Sequence, residues 1–291
     1  FSVGRGAKSL VNDVVWTVLL LGVLVGLLVT GSASVTNCVL AFGGTATLAA
    51  AFGLLQCRIR PQPTSARAWV VEHRALGGRY LVENVSNSGA RQLRAFALGA
   101  LAGLANVGDV RAAELLMGPF LVIVMGVSQV AVPEAARVLV RAPRLLAPFC
   151  FGLGAVQALA AAVWGVAILA LLPIGIGDAL FGPIWVPASA LLPPVIIAVS
   201  ISCFSVGAAA GLRAMGAARR SMAAQLMVSG LYVIGGVGGA VLAGAPGTCW
   251  GVAVATTLGA LVWWAQLRST IESRRERAVP SHGPVPTGST S

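Results

Sequence analysis

The chain has 291 residues, 57% of them hydrophobic and 10% charged, with a mean hydropathy of +0.88 and a formal net charge of +11. A soluble domain carries about 25% charged residues, so the composition excludes a water-soluble fold and indicates an all-α integral membrane protein. The alternation of a membrane β-barrel is absent. The basic excess does not point to nucleic acid, because 17 of the 20 basic residues gather in alternate connections between apolar stretches, where membrane topology accounts for them.

A crossing needs about 20 apolar residues. On that basis eight transmembrane helices are predicted, at 14–30, 35–56, 82–107, 112–133, 148–172, 186–212, 222–243 and 247–267. Arg5 and Lys8 before the first run imitate a signal peptide, but the run is long for one and further spans follow, so it reads as a true span. The chain begins at Phe1 rather than Met and reads as a piece of a longer protein. After the second span comes the longest connection, 57–80, "CRIRPQPTSARAWVVEHRALGGRY". RPQP breaks helix there, and Trp69, Val70, Val71 and Leu76 then form an amphipathic stretch suited to the membrane surface. Basic residues within 5–8, 58–79, 137–144, 213–220 and 268–277 make up the 17, whereas the connections 31–34, 108–111, 173–185 and 244–246 hold only Arg111. The positive-inside rule therefore places both ends and the 57–80 connection in the cytoplasm. Close glycine pairs (Gly22 and Gly26, Gly99 and Gly103, Gly207 and Gly211, Gly235 and Gly239) permit tight helix packing in lipid. The segment from 269, "STIESRRERAVPSHGPVPTGSTS", is polar and reads as a disordered cytoplasmic tail.

Candidate chemistry is sparse. The five cysteines form no CxxC pair, and His73 and His282 are isolated, so neither a disulfide framework, a metal site nor a cofactor is expected. No paired carboxylates stand in acid–base spacing, and no Walker A loop or GxSxG elbow occurs, which argues against an enzyme. Asp13, Glu83 and Glu134 fall near predicted inner ends and Glu114 near an outer one. No carboxylate is thus expected deep in a span, where cation coupling usually needs one.

The third span is the exception. From Ala95 to Val107 its apolar part covers only about 20 Å, short of the ~30 Å hydrocarbon core, so the helix extends back through Arg94 and Arg91. At about 100° per residue, Glu83, Asn84, Asn87, Ser88, Arg91 and Arg94 share one stripe, away from Val82, Val85, Leu93 and Phe96. One reading has both arginines snorkel to the headgroups. The other makes the stripe the wall of a water-filled cavity, and the aligned asparagines favour it. Gln129 in the fourth span and Gln157 in the fifth are further polar candidates, although lone glutamines in spans commonly bridge helices.

Several segments carry a family resemblance in order. "VGDVRAAELLMGPF" at 107–120, "VAVPEAARVL" at 130–139, "LFGPIWVPASALLP" at 180–193 and "LRAMGAARRSMAAQL" at 212–226 resemble segments of the polysaccharide/O-antigen flippases. These belong to the multidrug, oligosaccharidyl-lipid and polysaccharide exporter superfamily. The resemblance implies two six-helix lobes around a central cavity, and alternating-access transport of polyprenyl-pyrophosphate-linked oligosaccharide across the bacterial inner membrane. Residues 1–56 would then be the last two helices of a first lobe, with four leading helices ahead of them. Residues 57–80 would be a cytoplasmic interlobe linker, 81–268 a six-helix second lobe and 269–291 the tail. The implied partners are membrane lipids, the polyprenyl-linked sugar and envelope glycan assembly proteins. Arg91 and Arg94 would grip the anionic pyrophosphate. The alternatives are a multidrug exporter of the same superfamily and a membrane enzyme of envelope glycan assembly.

Overall fold

A polypeptide inside lipid must satisfy its own backbone hydrogen bonds, and continuous helix is one of two ways to do so. In the computed structural model, which describes residues 6–57, 63–170, 177 and 182–278, helix is the regular structure throughout and no strand occurs among the described residues. The helices are α1 (Gly6–Val29), α2 (Val35–Cys57), α3 (Pro63–Ala102), α4 (Leu104–Leu116), α5 (Gly118–Arg141), α6 (Leu146–Ala170), α7 (Trp185–Ala214) and α8 (Ala218–Ala278). Six of them, α1, α2, α5, α6, α7 and α8, are long and apolar enough to cross a membrane. The protein is therefore an all-α, multi-pass membrane protein.

Of two helix breaks, one agrees with the expected spans and the other cuts through one of them. At 61 residues α8 would extend about 90 Å, three times the hydrocarbon core. It is in fact two limbs, interrupted at Ala243 (φ −152°, ψ 29°) and Gly244 (φ 58°, ψ −132°), and Pro246 enters the first turn of the second limb without losing a bond. The predicted connection at 244–246 is thus a sharp break between the last two predicted spans. The second break separates α4 from α5 at Met117, inside the predicted span 112–133, which is therefore not one continuous helix. Pro119 has no N–H for the Leu115 carbonyl, and the neighbouring Leu116 carbonyl accepts from Trp164 Nε1 at 3.2 Å.

Three expectations are corrected. The third span does not run to 107: α3 ends at Ala102, and the turn sits at Gly103, whose φ of 91° is open to glycine. The outer connection predicted at 108–111 is helical, within α4. Helix also continues ten residues beyond 268, through Ala278. The amphipathic stretch Trp69–Leu76 is continuous with the third span in the 40-residue α3, with Trp69, Val70, Val71 and Leu76 exposed. Most of the 173–185 connection, Arg58, Arg60, Asp178, Phe181 and the tail 279–291 lie outside the described residues.

The chain divides into two compact units, residues 1–72 and 73–291. In the first, α1 and α2 pair: Trp16 meets Phe42 edge to face at 5.4 Å, and Lys8 Nζ donates to the Gln56 carbonyl at 2.9 Å. In the second, α7 is central, packing on α6 and on α8. Small residues allow this. A Cβ on Gly207 would lie 2.1 Å from the Cys150 carbonyl oxygen, and one on Gly239 would lie 2.0 Å from that of Gly247. Gly22 and Gly26 have nothing within 4 Å of such a Cβ. One buried cluster joins Leu98, Val110, Ala113 and Met117 to Leu192 and Cys249; another joins Leu146 and Cys150 to Leu212, Trp263 and Leu267.

This contrast predicts that Gly207→Leu lowers stability by about 1–3 kcal/mol or more through overpacking, whereas Gly22→Leu leaves it nearly unchanged. Thermal unfolding in detergent measures both, and equal effects would contradict the packing described.

Candidate functional site

The polar inner half of α3 resolves into three sectors. One faces its neighbours and buries Glu83, Ala90, Arg94 and Leu98. The second is exposed and polar, with Asn84, Asn87, Ser88 and Arg91 at i, i+3, i+4 and i+7. The third is exposed and apolar, with Val82, Val85, Leu93 and Phe96. The expected single stripe is therefore unevenly covered along its length: Arg94, on the same face as Asn87 seven residues earlier, is packed over by neighbours, whereas Arg91 is exposed. At the borderline angle between them, packing decides which way a long side chain turns.

Arg94 lies eight residues before the end of α3, about 12 Å along the helix. Its side chain is only 5% exposed. Nη2 donates to Glu114 Oε1 on α4 at 2.6 Å, and Arg111 Nη1 donates to the other oxygen of Glu114 at 3.1 Å. The guanidinium carbon stands 5.4 Å from the centroid of the Tyr232 ring on α8, within cation–π range. Gly236, one turn on, makes room for the arginine stem: a Cβ there would lie 2.8 Å from Arg94 Cγ. Arg94 Nε is buried with no hydrogen-bond partner. The site thus joins α3, α4 and α8 through one shared carboxylate and two arginines.

At the middle of α3, Glu83 is 6% exposed and accepts from Arg213 Nη2 on α7 and from Ser221 Oγ on α8, the latter at 3.1 Å. Close by in the chain, Arg220 donates to Ser269 and Thr270, and Arg274 Nη2 donates to the Met215 carbonyl at 2.6 Å. At the α8 break, Asn106 Oδ1 accepts from the Ala245 N–H at 3.3 Å, satisfying an orphan donor of the second limb.

The remaining predicted candidates do not join this site. Asn84 Nδ2 donates to its own helix at the Tyr80 carbonyl, 3.1 Å away. Gln129 is exposed on α5. Gln157 on α6 is 5% exposed and bonds the Leu153 carbonyl at 3.3 Å, with Oε1 unpartnered. Sequence reading did not single out Tyr232, took Arg213 only as a basic residue of a connection, and placed Glu83 and Glu114 without partners. Their partners lie 20 and 130 residues away, and no local spacing signals a contact set by how separate helices pack.

No family model and no curated protein matches the sequence. Among solved structures, the crystal structure of a MATE protein carrying a proline-to-alanine mutation superposes with a TM-score of 0.68 over 94% of this chain, at 14% identity. The fold is similar to that of a MATE protein. The chain spans 64% of the length of that MATE chain. At this identity the likeness concerns the fold.

Removing the Glu114 charge leaves Arg94 buried without its counter-ion. Glu114→Gln is therefore predicted to destabilise by about 3 kcal/mol, the lower end of the range for a broken buried pair because Glu114 is 30% exposed. Arg94→Met with Glu114→Leu should regain most of that loss, since an apolar pair replaces both charges. Unfolding midpoints of the single and double variants check this; a double variant less stable than Glu114→Gln would contradict it.

Proposed function

We propose that the chain is the membrane-embedded part of a transporter of the multidrug, oligosaccharidyl-lipid and polysaccharide exporter superfamily. Its substrate in this reading is a polyprenyl-pyrophosphate-linked oligosaccharide, moved across a bacterial cytoplasmic membrane by alternating access. Residues 1–56 would close a first lobe and 81–268 form a second, with both ends cytoplasmic, in line with the basic-residue asymmetry. The MATE-like fold supports transport as the task.

The observation that carries the substrate class is the exposed polar sector of α3. Arg91 is its one charged member, flanked by Asn84, Asn87 and Ser88. A guanidinium at a water-facing wall suits a pyrophosphate, with two parallel donors, and the amides suit sugar hydroxyls. Arg94, three residues from Arg91 on the same side of α3, is engaged by Glu114, which leaves Arg91 as the exposed guanidinium. The fold likeness supports a multidrug exporter equally, but Arg91 would repel an organic cation.

The two readings separate in liposomes containing the protein, supplied with a fluorescent polyprenyl-pyrophosphate oligosaccharide or with a cationic dye. Arg91→Gln is predicted to reduce movement of the lipid-linked sugar about tenfold, the loss of one charge-assisted contact. Arg91→Lys should keep part of it. Unchanged sugar transport in Arg91→Gln, or transport of the dye alone, would refute the substrate assignment.

A further inference from the structure

At the boundary where α5 ends and α6 begins, an open groove of about 490 Å³ is lined by Glu134, Arg137, Val138, Arg141, Leu145 and Phe149, among others. This is within the ~300–1,000 Å³ typical of small-molecule sites. Its two halves differ in chemistry. Glu134, Arg137 and Arg141 recur along one face of the last two turns of α5. Leu145, Phe149 and Val138 supply an apolar wall, and Leu145 is 58% exposed. Arg137 is ion-paired with Glu134. Arg141 and Arg144 are exposed and form no ion pair or side-chain hydrogen bond among the described residues. The local balance is three arginines to one carboxylate, beside an apolar surface at the ends of two membrane-crossing helices.

We propose that this groove holds an anionic phospholipid, its phosphate on Arg141 and Arg144 and the start of its acyl chains along Leu145 and Phe149. A soluble anion would have no use for the apolar wall, and a neutral lipid would leave both guanidinium groups unanswered. Arg141 in the lining of the groove, with Arg144 exposed in the adjoining turn between α5 and α6, matches the layout of a phospholipid at the depth where headgroup meets hydrocarbon. The site lies on α5 and α6, apart from the Arg94 cluster on α3, α4 and α8, and does not depend on what the protein transports.

The test uses the purified protein in neutral detergent with phosphatidylglycerol or phosphatidylcholine added, retained lipid being read by native mass spectrometry. The unmodified chain should retain phosphatidylglycerol in preference to phosphatidylcholine. Arg141→Gln and Arg144→Gln should each weaken that retention about fivefold, as expected for one arginine near an anionic headgroup. Leu145→Asn should weaken it with no change in charge, and Arg268→Gln, exposed elsewhere on the protein, should not. Equal retention of the two lipids, no loss in the Arg141→Gln, Arg144→Gln double variant, or an equal loss in Arg268→Gln would overturn the proposal. So would displacement of the lipid by inorganic phosphate at the same concentration.

Discussion

A guanidinium cannot be buried alone among apolar side chains, and Arg94, buried eight residues before the end of α3, imposes that constraint on everything around it. Glu114 answers the charge, Tyr232 offers its ring face and Gly236 leaves space for the stem. Each of these depends on a particular backbone feature. Glu114 reaches Arg94 because α3 stops at Gly103 and α4 begins at once. Gly236 sits on the first limb of α8, which packs against the second through Gly239 and Gly247. A buried ion pair of this kind adds little net stability compared with an apolar pair. What it contributes is a fixed rotation of α3, because any other rotation would strand a charge. Glu83, held by Arg213 and Ser221, sets the same rotation from the middle of the helix, three turns away.

That rotation gives α3 its three faces. The two acid–base contacts point inward, the row of Val82, Val85, Leu93 and Phe96 suits lipid, and Asn84, Asn87, Ser88 and Arg91 remain together on the third. In a soluble protein an exposed asparagine or arginine needs no explanation. α3 is not among the six helices long and apolar enough to cross a membrane, but the span expected within it would need water or protein beside a polar face.

Much of the architecture was legible in the sequence because hydropathy reports it directly. The predicted spans 14–30, 35–56, 148–172 and 186–212 fall within or along α1, α2, α6 and α7, and the break in α8 falls beside the predicted 244–246 connection. The stretch from Gly108 to Arg111 was misread as a connection because polarity does not distinguish a polar helix from a polar loop. Asp109 and Arg111 lie on the less buried side of α4, whereas Val110 and Ala113 are buried. The polar stripe on α3 was legible from its spacing. Its division into a paired and an unpaired arginine was not, since that depends on Glu114 arriving from a helix whose start at Leu104 is set by a single glycine.

The most direct measurement of this account is water accessibility along α3 in membranes. Single cysteines at Asn87, Ser88 and Arg91, and at Val85, Leu93 and Phe96, would be placed in a variant lacking the five native cysteines and exposed to a charged thiol reagent. The account predicts rapid labelling at Asn87, Ser88 and Arg91 and slow labelling at Val85, Leu93 and Phe96. Equal labelling of both sets, or protection of Ser88 and Arg91 at the level of Phe96, would contradict the claim that pairing of Arg94 with Glu114 turns a polar, water-lined face away from the lipid.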